Sequence, residues 1–378
     1  MRSSGFEKYY QIAKCFRDES QGSDRQPEFT QIDLEMAFAT QESITKLIET
    51  LISGIWKEFL GQSLTLPFPR MHYMDAMKIY GSDKPDTRFE LKIIDLTDTL
   101  KNVQTFKESR RQVECIIIPH DLSITLDEVE NIKSALIHET FPQLVSISSK
   151  DIHIVHGSQK EDYFRKLNFE CNHSDLSCLH PQDILIMNER RAGYSGAFTV
   201  LGRARVHLGQ ILAKKGIIQK DVHQFLWVHS FPLFTPEYLV NENGKEEVHW
   251  VSSHHPFTAP VSGQENELFI HRESVFGQNY DLVLNGMELG GGSIRIHDAR
   301  LQERVFKDIL DMSDERIQRD FSHLLDALKF GCPPHGGIAL GLDRLMSILV
   351  ESESIRDVIA FPKLAGKDLM VSSPSKLN

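Results

Sequence analysis

Cysteine is scarce in this chain, and what there is does not pair. The 378 residues include five, at positions 15, 115, 171, 178 and 332, with no CxxC spacing. An odd count without paired spacing argues against a disulfide framework and fits a reducing compartment. One cluster, Cys171, His173, Cys178 and His180, separates each Cys–His pair by a single residue. Zinc sites usually place two to four residues between paired ligands, so metal is not expected there. Long apolar runs are missing too, and nothing approaches the ~18 residues of a membrane span. The opening MRSSGFEKYYQ has no signal-peptide core and no Arg/Ser-rich leader, and it runs almost at once into strand-like sequence. That is the expectation for a chain that starts inside a larger protein. Basic charge is also short: 42 Lys and Arg stand against 53 Asp and Glu, a net charge of −11. This argues against gripping nucleic acid by bulk electrostatics but leaves room for a local basic groove. There is no GxxxxGK[ST], no GxGxxG opening a helix after a strand, no HExxH and no Ser-His-Asp pattern. A nucleotide site, if present, must be built on an antiparallel sheet rather than on a P-loop or Rossmann crossover.

The length suits two domains, and 40% hydrophobic with 25% charged residues is ordinary globular composition. The pattern is organised around Asp281–His297, DLVLNGMELGGGSIRIH. It reads as an apolar strand at Leu282–Leu284, an Asn-Gly turn signal, Glu288, three glycines, and a second short strand. In that strand Ser293, Arg295 and His297 share one face and Ile294 and Ile296 the other. An arginine beside a carboxylate and bare backbone suits an anionic ligand; glycines as turn devices and a salt-bridged arginine are the bland alternative.

Upstream, residues 9–19 and 28–38 predict an antiparallel hairpin with a long Ser/Gly/Asp-rich tip ending at Pro27. Arg17, Glu19, Gln31, Asp33 and Glu35 crowd its polar side, an arrangement suited to a zwitterion or a nucleotide unless it is a solvated outer face. Ile44, Leu47, Ile48, Leu51, Ile52, Ile55 and Phe59 follow helical spacing behind a Thr40 cap. The turn-rich YGSDKPDTRFE at 80–90 marks a boundary, and the texture from 91 to 221 is that of a compact α+β unit. Three stretches result: 1–90, 91–221 and 222–378. In the last, FLWVHSFPLF (225–234) reads as one buried strand, 241–249 as an acidic loop, and the proline-bracketed SHHPFTAP (253–260) as a candidate lid. Helices are expected at 299–310 and 315–328. Gly336–Leu340 reads as a strand running into a helix striped by Leu342, Leu345, Met346 and Leu349. Arg344 falls in its first turn, where backbone N–H groups and the helix dipole favour a phosphate. The alternative is a surface salt bridge to Asp343 or Asp357.

Arg17, Arg295 and Arg344 come from three separated segments, and their surroundings match a known family. FRDE followed by RQPEFTQIDLEM is similar to motif 2 of the class II aminoacyl-tRNA synthetases, and GIALGLDRL to their motif 3. LNGMELGGGSIRIH, with HHPFTAP and YGSDKPD, resembles the bacterial- and mitochondrial-type aspartyl-tRNA synthetases within that class. The likeness runs from Gly5 to about Pro374. It implies an α+β fold: a large antiparallel sheet flanked by helices, with a smaller α+β domain inserted at 91–221. It implies ATP bent across the sheet, with Arg17 and Arg344 as the catalytic pair. Arg17 would hold the α-phosphate and the reacting carboxylate, and Glu19 the adenine amino group. Asp18 and Gln26 would also line the ATP site. Arg344 would stack on the adenine and reach the γ-phosphate beside Gly341, Leu342 and Asp343. Mg²⁺ would be carried by Asp281 and Glu288. Seven positions apart, these two would fall on opposite faces of a continuous strand, so a bulge near Asn285-Gly286 is expected. L-Aspartate would be bound by Arg17, Gln31, Asp33, His254 and Arg295, with Asp33 countering the ammonium and Arg295 pairing with the side-chain carboxylate.

The chemistry implied is attack of the aspartate carboxylate on the α-phosphorus, then transfer to the terminal hydroxyl of tRNA(Asp). It needs positioning and charge neutralisation rather than a protein nucleophile. Against the family's pattern, the N-terminal OB-fold, motif 1 and the Ser-Pro-Gln/Lys stretch of the aspartate pocket are absent from the sequence. A C-terminal catalytic fragment is therefore expected, from a family whose full-length members are homodimers. The motifs fit a mitochondrial matrix or a bacterial cytoplasm, and details such as IDLEMAF lean to mitochondria. The rival readings are a non-catalytic synthetase-like protein that binds an amino acid or RNA, an interaction protein using only the 91–221 unit, and a nondiscriminating enzyme that also charges asparagine tRNA.

Overall fold

A computed structural model of the chain describes residues 5–17, 22, 24–99, 111–138, 151–166, 174–194, 196–240 and 246–363. The architecture is α+β, in two compact units. One comprises Met1–Arg70, His229–Val283 and Glu288–Asn378; the other comprises Met71–Val228 with Leu284–Met287. The second unit takes in the 80–90 segment.

The first unit opens with β1 (Lys8–Phe16) and β2 (Glu28–Ala37), an antiparallel hairpin running from Lys8 opposite Met36 to Phe16 opposite Glu28. The helix Gln41–Leu60 follows. Its Thr40 cap and Ser43 exchange bonds as a capping box, and Gly61 ends it in the left-handed region. Ile44, Ile48, Ile52 and Trp56 are fully or almost fully buried along its inner stripe, each aliphatic side chain contributing about 1.5–3 kcal/mol of transfer free energy. A short β3 (Arg70–His72) closes this part of the chain.

The second unit is built on β4 (Ile93–Asp95), β5 (Arg111–Ile118), β6 (Ile152–His156) and β7 (Ile184–Arg191), ordered β4-β5-β7-β6 and antiparallel throughout. Both sheet faces are buried. Ile116, Ile118, Ile184 and Ile186 pack with Leu136, Leu201 and Leu208 of the helices Leu126–His138 and Val200–Lys214. The alternate residues Val113, Cys115, Leu185 and Met187 pack with Val155, Phe164 and Leu176. That two-sided burial explains why β5 and β7 read as apolar runs.

The sequence predicts a single strand over 225–234. The chain instead makes β8 (Phe225–His229) and a separate β9 starting at Phe234. Ser230 lies at φ 56°, and Pro232 has no N–H to lend to a ladder. The acidic loop expected over 241–249 is also corrected: β9 (Phe234–Val240) pairs with β10 (Glu246–Ser252), while 241–245 lie outside the described residues. Then come β11 (Asn279–Leu284), β12 (Met287–Ile294) and β13 (His335–Gly341). The glycines expected as a spacer between strands are in fact inside β12. Within the first unit the strands stand in the order β1-β2-β13-β12-β11. Helices Ala299–Arg304, continued by a π turn at Val305–Ile309, and Asp314–Lys329 follow β12, and Leu342–Leu349 follows β13. No helix among the described residues is long and apolar enough to cross a membrane.

Candidate active site

Register decides which side chains meet. Gln31, Asp33 and Glu35 of β2 lie opposite Gly341, Ala339 and Gly337 of β13, and Ala339 and Gly337 lie opposite Gly291 and Ser293 of β12. Cross-strand partners share a face. The polar row of β2 therefore continues as a low floor across β13 and β12 and rises again as Ser293 and Arg295. On β1, Ala13 and Cys15 oppose Gln31 and Phe29, and the same alternation brings Arg17 to this face. The Gln41–Leu60 helix covers the other face, where Ile44 packs over Gly336.

Arg17 is exposed at the hairpin tip. Its amide donates to the Pro27 carbonyl at 3.0 Å, and its guanidinium lies 5.3 Å from the Phe29 ring centroid. Asp18 and Glu19 lie outside the described residues. Gln26 is buried; its side-chain oxygen accepts from the Lys363 amide at 2.6 Å, and its NH₂ donates to the Arg25 carbonyl at 3.3 Å. Its side chain thus ties the tip to the C-terminal segment. Gln31 accepts from the Cys15 thiol at 3.2 Å. Burial and then the charge of Asp33 push that thiol above its usual pKa, against the opposing pull of Arg17 and of the Gln31 backbone.

Arg295 is held from several sides. Its amide donates to the His335 carbonyl at 2.9 Å and its Nη1 to the Ser293 hydroxyl at 2.8 Å. Nη2 stands 3.6 Å from Glu35 Oε2, and the Phe257 ring centroid is 5.4 Å from Cζ. The proline-bracketed loop supplies two histidines. His254 Nδ1 accepts from the Asn279 amide at 3.1 Å, which leaves Nε2 facing Asp281 Oδ2 at 3.5 Å. His255 stacks on Phe257 with centroids 4.9 Å apart. Burial, then Arg295, His254 and Arg17, push its pKa below the ordinary 6.5. His255 thus feels the charge of Arg295, His254 and Arg17.

Asp281 and Glu288 meet over Gly291. A Cβ there would strike Asp281 Oδ1 and would stand 3.5 Å from Glu288 Oε1. The offset expected at Asn285-Gly286 is not at that position. Those residues form a two-residue turn with φ of 52° and 84°, the positive pair that suits strand twist. A turn of two residues already puts positions seven apart across it on one face. The one-residue shift lies further along: Ile294 N–H donates to the Gln278 carbonyl at 3.0 Å. That pairing is one step off the register set by the turn, so β12 carries an extra residue between Glu288 and Gly291. Two carboxylates converging over a Cβ-free floor fit a hard divalent cation with oxygen ligands.

Arg344 pairs with neither neighbour proposed from spacing. Asp343 accepts from the Thr30 amide at 2.7 Å, and Asp357 accepts from the Ser352 hydroxyl. Arg344 Nη2 donates instead to the Asp24 carbonyl at 3.1 Å, with the Asp24 carboxylate at 3.5 Å, and Nη1 donates to the Glu288 carbonyl. Its Nε is buried with no acceptor. Gly341 and Leu342 form the strand-to-helix step beneath it. The structure thus gathers Arg17, Gln31, Asp33, Asp281, Glu288, Arg295, His254, Asp343 and Arg344 in one unit and leaves Gln26 tied away. Glu35, Asp24, His255 and Asn279 carry geometry that sequence reasoning assigned to no ligand. Alternation alone signalled Glu35.

In the second unit, His120 and His180 stack with centroids 3.9 Å apart, and with Asp183 they form the one group of three or more metal-ligating side chains among the described residues. Asp183 is engaged: it accepts from the His120 ring at 2.9 Å, the His120 amide at 3.0 Å and the His180 amide at 2.8 Å. Burial raises its pKa, but these bonds outweigh burial and hold it below the usual value. Cys171 and His173 lie outside the described residues.

An antiparallel sheet with motif-bearing arginines on one face defines a class, and a family model agrees: that of the class II tRNA synthetases (D, K and N) matches residues 1–365, so the chain belongs to this family. Its relatives narrow the class. The chain is 40% identical over 381 residues to an aspartate–tRNA ligase of Ureaplasma parvum, covering 99% of this chain and 63% of that protein. An aspartate–tRNA(Asp/Asn) ligase of Opitutus terrae is 40% identical, with 98% and 62% covered. A mitochondrial aspartate–tRNA ligase of Mus musculus is 39% identical, with 99% and 56% covered. The chain thus spans about three fifths of the length of these relatives, which are of both bacterial and mitochondrial type.

Proposed function

We propose that the chain carries the catalytic part of an aspartate–tRNA ligase, which activates L-aspartate with ATP and transfers it to tRNA(Asp). The observation that carries this is Arg295 on the same sheet face as Asp33, Gln31 and Arg17, the face on which Asp281 and Glu288 meet over Gly291. Arg295 presents a planar, permanently charged fork to the side-chain carboxylate, a charge-assisted pair that a neutral amide cannot match. Asp33 counters the substrate ammonium, and Gln31 and His254 fix the amino-acid end. Arg17 neutralises charge between the α-carboxylate and the α-phosphate, which are brought in line by positioning. Asp18 and Glu19, which lie outside the described residues, would complete the nucleotide site. Arg344 exchanges its contacts with Asp24 for the adenine and γ-phosphate. Asp281 and Glu288 would hold Mg²⁺, which when bound neutralises phosphate charge and orients the pyrophosphate leaving group. No covalent enzyme intermediate forms.

We infer too that 91–221 is a domain inserted into the catalytic fold, and that the working protein is a homodimer of the mitochondrial matrix or, alternatively, of the bacterial cytoplasm. Aspartate-dependent ATP–pyrophosphate exchange by the protein bearing this chain is the test, with Arg295→Leu as the control. Exchange should require aspartate and vanish in the variant. Exchange that proceeds without aspartate, or survives the substitution, overturns the reading. Charging tRNA(Asp) and tRNA(Asn) side by side tells a discriminating enzyme from one of the Asp/Asn type.

A further inference from the structure

Arg295 already has a carboxylate beside it before any substrate arrives. Glu35, Gly337 and Ser293 form one row across β2, β13 and β12. A Cβ on Gly337 would strike the Glu35 carboxylate, so the bare backbone is what lets that side chain lie across β13 toward Arg295. The two guanidinium nitrogens are then held separately, Nη1 by the Ser293 hydroxyl at 2.8 Å and Nη2 by Glu35 at 3.6 Å. The second distance is beyond a hydrogen bond, so Nη2 keeps N–H capacity for a ligand while its charge is balanced. Both side chains are mostly buried, at 19% and 23% exposure.

We propose that Glu35 is a positioning residue for aspartate: it holds the Arg295 fork in its receiving orientation before the substrate carboxylate arrives. This rests on the reading of Arg295 given above. An arginine carries about 2 kcal/mol of side-chain conformational freedom, and a fork fixed in advance loses less on binding. Simple electrostatics predicts the opposite. Glu35 is an anion next to an anion site, so removing its charge should strengthen aspartate binding if charge were its whole effect. The sign of the change therefore decides between the two.

The experiment is steady-state ATP–pyrophosphate exchange with Glu35→Gln, which keeps the shape and removes the charge. The KM for L-aspartate should rise about tenfold, as expected for losing one anchor of a charge-assisted pair, with the KM for ATP within about twofold. In a cycle with Arg295→Lys, where there is no fork to orient, Glu35→Gln should add little. An unchanged or lowered aspartate KM, an equal rise in both KM values, or full additivity with Arg295→Lys each overturns the proposal. If Arg295→Lys itself keeps the parent aspartate KM, the reading of Arg295 fails instead. A thermal melt accompanies each variant; should Glu35→Gln melt early, Ser293→Ala removes the other anchor and is judged by the same criteria.

Discussion

Arg295 and Arg344 are each held by groups that lie far from them in sequence. Glu35 is 260 positions from Arg295 (295 − 35) and Asp24 is 320 from Arg344. Two predictions belong at this scale. Gly291→Ala drives a methyl group into the Asp281 carboxylate; the Mg²⁺ concentration for half-maximal exchange should rise about tenfold or more, as for loss of a well-placed ligand, while the aspartate KM stays put. A magnesium titration of the variant checks this. His255 titrates below its ordinary value in the fold, so between that lowered value and 6.5 the unfolded chain binds the proton more readily. The stabilisation is complete above 6.5 and disappears as pH falls through the lowered value. His255→Asn should flatten this acid-side loss in melting temperature measured against pH, and an unchanged slope would contradict it.

At the scale of elements, caps and stripes were readable because they are local. Thr40, the buried line of Ile44, Ile48 and Ile52 and the Asn285-Gly286 turn sit where spacing puts them, whereas Leu47, Leu51 and Phe59 of the expected stripe are exposed and Trp56 takes the inner position instead. Strand ends were less readable, since Ser230 breaks 225–234 by a backbone angle that no local pattern announces. In the second unit, β5 and β7 are pinned by a buried pair: Arg190 Nε donates to Glu114 at 2.8 Å and Nη2 at 2.6 Å, with Tyr194 donating to the same carboxylate at 3.2 Å. Arg190 also caps the Arg191 and Gly193 carbonyls. Arg190→Met strands Glu114, which is 1% exposed, and should cost about 3–5 kcal/mol in urea denaturation. The double change with Glu114→Leu should recover much of that loss.

For the whole molecule, a site assembled from separated segments ties ligand binding to folding. ATP and aspartate together should raise the melting temperature, since a ligand at 100 times its Kd adds about 2.7 kcal/mol. Arg295→Leu should remove the aspartate increment and leave that of ATP, read by scanning calorimetry with each ligand alone and together. If aspartate stabilises the variant as it does the parent, the pocket lies elsewhere.

The sequence by itself determined the alternation on β2, the Thr40 cap, the Asn285-Gly286 turn and the arginines that mark the family, because each is set by neighbours a few residues away. Only the tertiary structure decided that Asp281 and Glu288 converge over Gly291, that Gln26 turns inward to Lys363, and that Asp24 and Glu35 hold the two arginines. Those outcomes depend on strand order and long-range packing, and the meeting over Gly291 depends also on a one-residue shift in β12. Such a shift is fixed by packing between strands far apart in the chain, and the alternation of side chains along one strand carries no record of it.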